Sequence, residues 1–421
     1  MDFKKLSGSL LFRIVVAIIL GIIASIIFHG SGWGVAISRI FVTFNGLFGN
    51  FLGFFIPVLI FALIAPAIAS LGRGAGKWLG ITTAIAYVST IISGFIAYGI
   101  ALSLYGWLLA GNSTAKVDDI DAGALQPYFE IKMPAPMDVM TALLLAFTVG
   151  VAMTAVKSDT LFRGTQDLQR VIMHVISGFI IPLLPLYIFG MFLSLGMNGN
   201  LINTLSAFGK VLLLAVIMTW IILVGQYIIA GLIAGKNPFT SLKNMLPAYA
   251  TALGTSSSAA TIPITYGCAK KNGVTDAVAG FVIPLCATIH LSGSIQKIAL
   301  FAFAIVWMDG MDLPPTMAIG FILMLGIFMI AAPGVPGGAI MAAVGLLQSM
   351  LGFDDDQVAL MIAAYIAIDS FGTACNVTGD GAIAMVVNKF ARGDIKRTAE
   401  LAESSPLDYQ AEAAASVSKD S

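Results

Sequence analysis

Continuous apolar runs, not alternating ones, dominate the pattern along this chain. Six come first, at about Leu11–Phe28, Arg39–Leu71, Trp78–Leu109, Val139–Val156, Val171–Met197 and Leu201–Ala234. A helix that crosses a bilayer needs roughly 20 apolar residues, and the longer runs predict tilted or bent helices rather than extra spans. A membrane β-barrel would alternate over segments of about ten residues. These runs do not alternate, so they predict helices.

After Lys243 the pattern changes. Met245–Ile264 is interrupted by Gly254-Thr255-Ser256-Ser257-Ser258, and Met317–Leu351 by Ala332-Pro333-Gly334-Val335-Pro336-Gly337-Gly338. Each arm beside the second interruption has about 14 residues, or about 21 Å of helix. That is short of a hydrocarbon core about 30 Å thick. Two hairpins that dip in and turn back are expected in preference to two kinked spans, their broken backbone buried in protein or facing a water-filled cavity.

Each interruption is followed by a span with polar residues at mid-depth, Thr275–Trp307 and Ala359–Val387. The spacing repeats: Ser257 to Ser292 is 35 residues and Pro336 to Thr373 is 37. The first unit starts from a basic flank and the second from an acidic one, which makes an inverted repeat. Such repeats belong to alternating-access transporters that bind substrate at the midplane. The expected fold is an all-α polytopic membrane protein with eight transmembrane helices and two re-entrant helical hairpins.

Composition agrees. Hydrophobic residues make up 58% of the 421 and charged residues 10%, against about 45–50% and about 25% in soluble proteins. Mean hydropathy is +0.94. A soluble globule and a disordered chain are both excluded. The 22 basic and 22 acidic residues cancel, so no nucleic-acid partner is expected; the lipid bilayer is. Cys268, Cys286 and Cys375 form neither a disulfide framework nor a zinc spacing, and no bound cofactor is expected. Met1–Arg13 has no small-residue cleavage site, so no removable signal peptide is read there.

Where the charges fall sets an orientation. Lys4, Lys5 and Arg13, then Arg73 and Lys77, then Lys157, Arg163 and Arg170, then Lys236 and Lys243 occupy alternate loops. Asp118, Asp119, Asp121 and Glu130, and later Asp354, Asp355 and Asp356, occupy the others. The excess of basic residues on cytoplasmic loops then puts both termini in the cytoplasm, in a bacterial-type cytoplasmic (inner) membrane.

Candidate chemistry gathers in the two polar spans. From Asp369, steps of three, four, seven and eleven reach Gly372, Thr373, Asn376 and Asp380. At about 3.6 residues per turn these share one helical face. Carboxylates at such depth are functional by default. The other span carries His290, Leu291, Ser292, Gly293, Ser294 and Lys297. Gly293 is expected to unwind the helix and expose carbonyls to a cation. A buried lysine without a counter-charge would lose its proton, so Lys297 needs a carboxylate partner, Asp369 or Asp380. It serves either as an ion-pair scaffold or as a substitute for a metal cation. His290 is read as a proton carrier or substrate contact, or else as a packing residue; His29 and His174 are expected to pack at span ends. Ser256-Ser257-Ser258, at a hairpin tip, offers hydroxyls and free N–H groups to an anion. An intramembrane enzyme would pair Ser257 with His290 or Lys297, a chemistry that two carboxylates facing an ion-like pocket do not serve.

Thr255–Pro263, Thr288–Ser294, Gly334–Gly337 and Asn376–Asp380 resemble four signature regions of the dicarboxylate/amino acid:cation symporters, the glutamate-transporter family. The resemblance implies a homotrimer in which a transport domain slides like an elevator against a fixed scaffold. Scaffold parts would be 1–77 and 139–200. Span three with its extracellular loop (78–138) and the core 201–392 would move, and 393–421 would be a cytoplasmic tail. It implies substrate contacts at Ser256, Ser257, Ser258, Ser294, Val335, Pro336, Gly337, Asp369, Gly372, Thr373 and Asn376. Asp369 would bind a substrate α-amino group. Sodium ligands would come from Ser89, Thr90, Cys286, His290, Asn376 and Asp380.

Two departures bear on substrate and coupling. The family's Asn-Met-Asp-Gly-Thr is here His290-Leu291-Ser292-Gly293-Ser294, so a sodium-binding carboxylate is gone. Sodium is expected as the coupling ion, with a proton as the second reading. Where acidic-amino-acid carriers place an arginine, this chain has Gly372. A missing guanidinium leaves a distal carboxylate unpaired, which argues for a neutral amino acid. An acidic amino acid or dicarboxylate follows instead if Lys297 supplies the charge.

Overall fold

The computed structural model describes residues 10–73, 77–110, 125–156, 159–197, 201–332 and 337–403, and their regular structure is helical. The apolar runs form α1 (Leu10–Phe28), α2 (Gly32–Arg73), α3 (Lys77–Leu108) and α4 (Val139–Val156). The fifth run begins earlier than the hydropathy suggests. An amphipathic helix, α5 (Asp159–Val175), passes through a π-helical turn at Ile176–Ile180 into α6 (Ile181–Met197). α7 (Leu201–Ala234) and the short α8 (Pro238–Asn244) follow. Asn237 caps α8, its side chain accepting from Phe239 N and Thr240 N.

Among the described residues, five helices are long and apolar enough to cross a membrane, or six with one bent pair counted as a single span. Of the eight expected, the first and fourth are the shorter α1 and α4, of 19 and 18 residues.

Breaks occur near the predicted places. α9 (Leu246–Thr255) and α10 (Ser258–Lys271) pack on each other around a turn at Ser256 and Ser257. α13 (Pro315–Ala331) packs on α14 (Gly338–Leu351). At 17 and 14 residues these last two span only about 26 and 21 Å. Residues 333–336, which include Val335 and Pro336, lie outside the described residues.

The two polar spans differ from expectation. The seventh is α11 (Asp276–Ile289) and α12 (Ser292–Met308), interrupted at His290–Leu291 and not at Gly293. Gly293 lies in the first turn of α12 and serves close packing: a Cβ there would stand 2.7 Å from Gly372 O and from Cys375 Cβ. The eighth is α15 (Asp355–Ala367) and α16 (Asp369–Glu403), bent by 60° at Ile368.

α16 is the central element. α7, α9, α10, α11 and α12 all pack on it, and residues 372–385 are buried without interruption. A polar helix so enclosed meets its neighbours through small residues; Gly372, Gly379 and Gly381 each have a neighbouring side chain within 3 Å of where a Cβ would stand. α3 packs on α12 and α13, while α1, α2, α4 and α6 pack among themselves. His29 and His174 are exposed, which corrects the packing role expected of them: each lies at a helix end facing outward.

Candidate functional site

The start of α16 meets α12, the end of α15 and the start of α14. Lys297, from the second turn of α12, is fully buried. Its ammonium donates to Ile368 O (3.1 Å) and Asp369 O (3.3 Å) and lies 3.6 Å from Asp369 Oδ1. The Tyr365 ring centroid is 4.1 Å away. The bend at Ile368 brings these two carbonyls together; Ile368 O also accepts from Phe371 N and Asp369 O from Thr373 Oγ1, so each shares its lone pairs with the ammonium. Of the two candidate partners, the lysine's carboxylate is Asp369. The other Asp369 oxygen, Oδ2, accepts from Gly337 N at 2.8 Å. Gly337 has φ +76°, a conformation open to glycine, and its N–H ties α14 to α16.

Gly372 makes room for the lysine. A Cβ at 372 would stand 2.3 Å from both Cε and Nζ of Lys297. The position lacking an arginine is therefore next to a buried ammonium, delivered from another helix. Thr373 is buried and its Oγ1 donates to Asp369 O.

One turn on, Asn376 accepts from Gly293 N (2.8 Å) and donates to Ser294 Oγ (3.1 Å), which Tyr365 OH also reaches at 3.1 Å. Thr90 Oγ1 accepts from Leu291 N at 3.2 Å. The backbone freed at His290–Leu291 is thus satisfied by side chains of α3 and α16, as a break at membrane depth requires.

At the far end of the face, Asp380 and His290 form a second buried pair, Oδ1 to Nδ1 at 2.9 Å. His290 Nε2 is 3.1 Å from Ser89 Oγ. Gln226 Nε2 donates to Ser89 Oγ (3.0 Å) and Ser292 Oγ (3.2 Å), closing a network over α3, α7, α12 and α16. Asp380 Oδ2, Gln226 Oε1 and Thr378 Oγ1 are buried oxygens without a hydrogen-bond partner, of the hard type that suits a sodium ion. Among the described residues no group of three His, Cys, Asp or Glu stands together as a metal site. Ser89 and Gln226 also line a mostly apolar cleft of about 560 Å³ between α3, α7 and α16.

The remaining predicted residues are less gathered. Ser256 takes a left-handed conformation (φ +50°), Ser257 caps α10 through Ala260 N, and Ser258 is buried. The hydrogen bonds of Ser257 run within its own hairpin. Cys286 is a buried thiol whose carbonyl accepts from His290 N. Gln226 and Tyr365 were not foreseen. Gln226 had a signal, as the one glutamine in the apolar run of α7; Tyr365 had none in its spacing.

The sequence is similar to those of known transporters. Excitatory amino acid transporter 1 of Rattus norvegicus is 36% identical over 166 residues, 39% of this chain and 30% of that protein. An excitatory amino acid transporter of Caenorhabditis elegans is 32% identical over 161 residues, 38% of this chain and 32% of its own length. Excitatory amino acid transporter 5 of Homo sapiens is 34% identical over 166 residues, 39% of this chain and 30% of that protein. The chain therefore spans about a third of the length of these relatives. A family model, by contrast, matches nearly all of it, residues 10–390. The chain belongs to the sodium:dicarboxylate symporter family, a family of membrane transporters and not of enzymes.

Proposed function

We propose that this protein is a secondary symporter that couples a cation gradient to uptake of a small carboxylate-bearing anion, an acidic amino acid or a dicarboxylate. The observation that carries the reading is the ammonium of Lys297 beside Gly372. It cancels the charge of Asp369, so a negative substrate meets no buried anion there. The N-termini of α10, α12, α14 and α16 add their positive dipole ends, and the hydroxyls of Ser256, Ser257, Ser258, Ser294 and Thr373 offer hydrogen bonds. The neutral-substrate expectation rested on a missing cation at position 372, and Lys297 puts one there.

The coupling ion is sodium, held by Asn376, Asp380 and the hydroxyls of Ser89 and Thr90, with His290 in place of the family's amide and Cys286 behind it. The unpartnered oxygens Asp380 Oδ2 and Gln226 Oε1 support a cation there. A proton is the second reading, favoured by the His290–Asp380 contact. The two helix pairs α9–α10 and α13–α14 are re-entrant hairpins of an elevator. Segments 1–77 and 139–200 form the fixed part of a homotrimer, and 78–138 and 201–392 the part that slides. That α1, α2, α4 and α6 pack mainly on one another supports that division. The protein lies in a cytoplasmic-type membrane with both termini inside.

Proteoliposomes made with the full chain test this. An inward sodium gradient should drive accumulation of labelled L-aspartate or succinate, and unlabelled L-serine should compete weakly. Accumulation of serine alone, or of nothing under either a sodium or a proton gradient, rejects the reading.

A further inference from the structure

We infer that Lys297 is an internal replacement for a substrate ammonium, so that the preferred substrate is a dicarboxylate that carries no amino group. This rests on the anion-symporter reading above and narrows it.

The argument is one of occupancy. A zwitterionic amino acid entering a buried site must bring its ammonium to an anion or leave it unpaired, at a cost far above that of a lost contact. The face of α16 offers two carboxylates: Asp369 is engaged at both oxygens, and Asp380 is paired through Oδ1, its Oδ2 being left to the coupling cation proposed above. Asp369 is held at Oδ1 by Lys297, 3.6 Å away, and at Oδ2 by Gly337 N at 2.8 Å. Asp380 is paired with His290 at 2.9 Å. It also lies eleven residues further on, about 16 Å along the helix, beyond the span of a small substrate seated at Asp369. A second ammonium at Asp369 would crowd the first, in a setting where like charges are poorly screened.

The lysine is built in rather than incidental. Its ammonium has two carbonyls, a carboxylate and an aromatic face around it. A glycine at 372 is what allows it to lie there. Arginine cannot share that space with it. An amino-free dicarboxylate needs no buried anion and takes its partners from serine hydroxyls and helix N-termini. The extra amine of an amino acid finds none.

Succinate and L-aspartate share a skeleton and differ by the amino group, so they are the probes. Binding of each to the purified full chain is measured by calorimetry, and uptake by mutual competition in proteoliposomes. We expect succinate to bind at least tenfold more tightly than aspartate. In Lys297→Met the ratio should move at least tenfold toward aspartate; Lys297→Gln serves as a second variant should the first not fold. Wild-type protein that binds aspartate as tightly as succinate overturns the inference and leaves the symporter reading standing. A ratio unchanged in a folded variant also overturns it. Binding of serine in preference to both acids overturns the inference and the symporter reading together. Should neither variant fold, the wild-type ratio decides alone.

Discussion

At the level of single residues, the two buried pairs dominate. Removing one member of such a pair strands the other, at about 3–5 kcal/mol. His290→Ala should therefore lower the unfolding midpoint in detergent more than the double change with Asp380→Asn does; equal or additive losses would count against a coupled pair. Gly372→Ala drives a methyl to within 2.3 Å of the lysine's terminal atoms, and overpacking of this kind costs about 1–3 kcal/mol. Lys297→Ala in the same chain should restore most of that loss. A double-mutant cycle reads the coupling directly, and zero coupling would show that the steric contact is unimportant. Arginine at 372 should be tolerated only once Lys297 has been shortened. The sequence raised these residues as candidates through their burial and shared face. It could not choose between Asp369 and Asp380 for Lys297, because the choice depends on how α12 lies against the bend at Ile368.

The helices were legible as apolar runs, and so were the interruptions, because serine, glycine and proline clusters stand out against such a background. Their exact positions were less so. The seventh span opens at His290–Leu291 because Thr90 and Asn376, about 200 residues before it and 85 after, catch the freed N–H groups. No local signal carries that. Thr90→Val should leave Leu291 N unpaired and cost about 1–3 kcal/mol, seen as earlier unfolding and as faster amide exchange confined to the break. Exchange unchanged there would mean that the hydroxyl does not hold it. At the first hairpin tip, Ser256 adopts a backbone that costs an L-residue roughly 1–2 kcal/mol. Ser256→Gly should stabilise by up to about 1 kcal/mol. If transport falls while stability rises, the hydroxyl acts on substrate; if both rise together, the serine is only a turn residue.

For the whole molecule, 10% of the residues carry charge, and Lys297, Asp369 and Asp380 are among the few of them that are buried. The ion pair Lys297–Asp369 has a consequence for energetics under a membrane potential. Moving one elementary charge across the field is worth about 2.3 kcal/mol per 100 mV. In a carrier that alternates access, the substrate-free form takes this pair across as a neutral unit, so its return feels little force from it. The loaded form, with a dianion and its coupling ions, is where voltage acts. Neutralising Lys297 leaves Asp369 as an uncompensated traveller, and net uptake should then acquire a voltage dependence in its empty step that exchange of substrate for substrate lacks. A lysine folded over a glycine would in that way spare the resting carrier an electrical load.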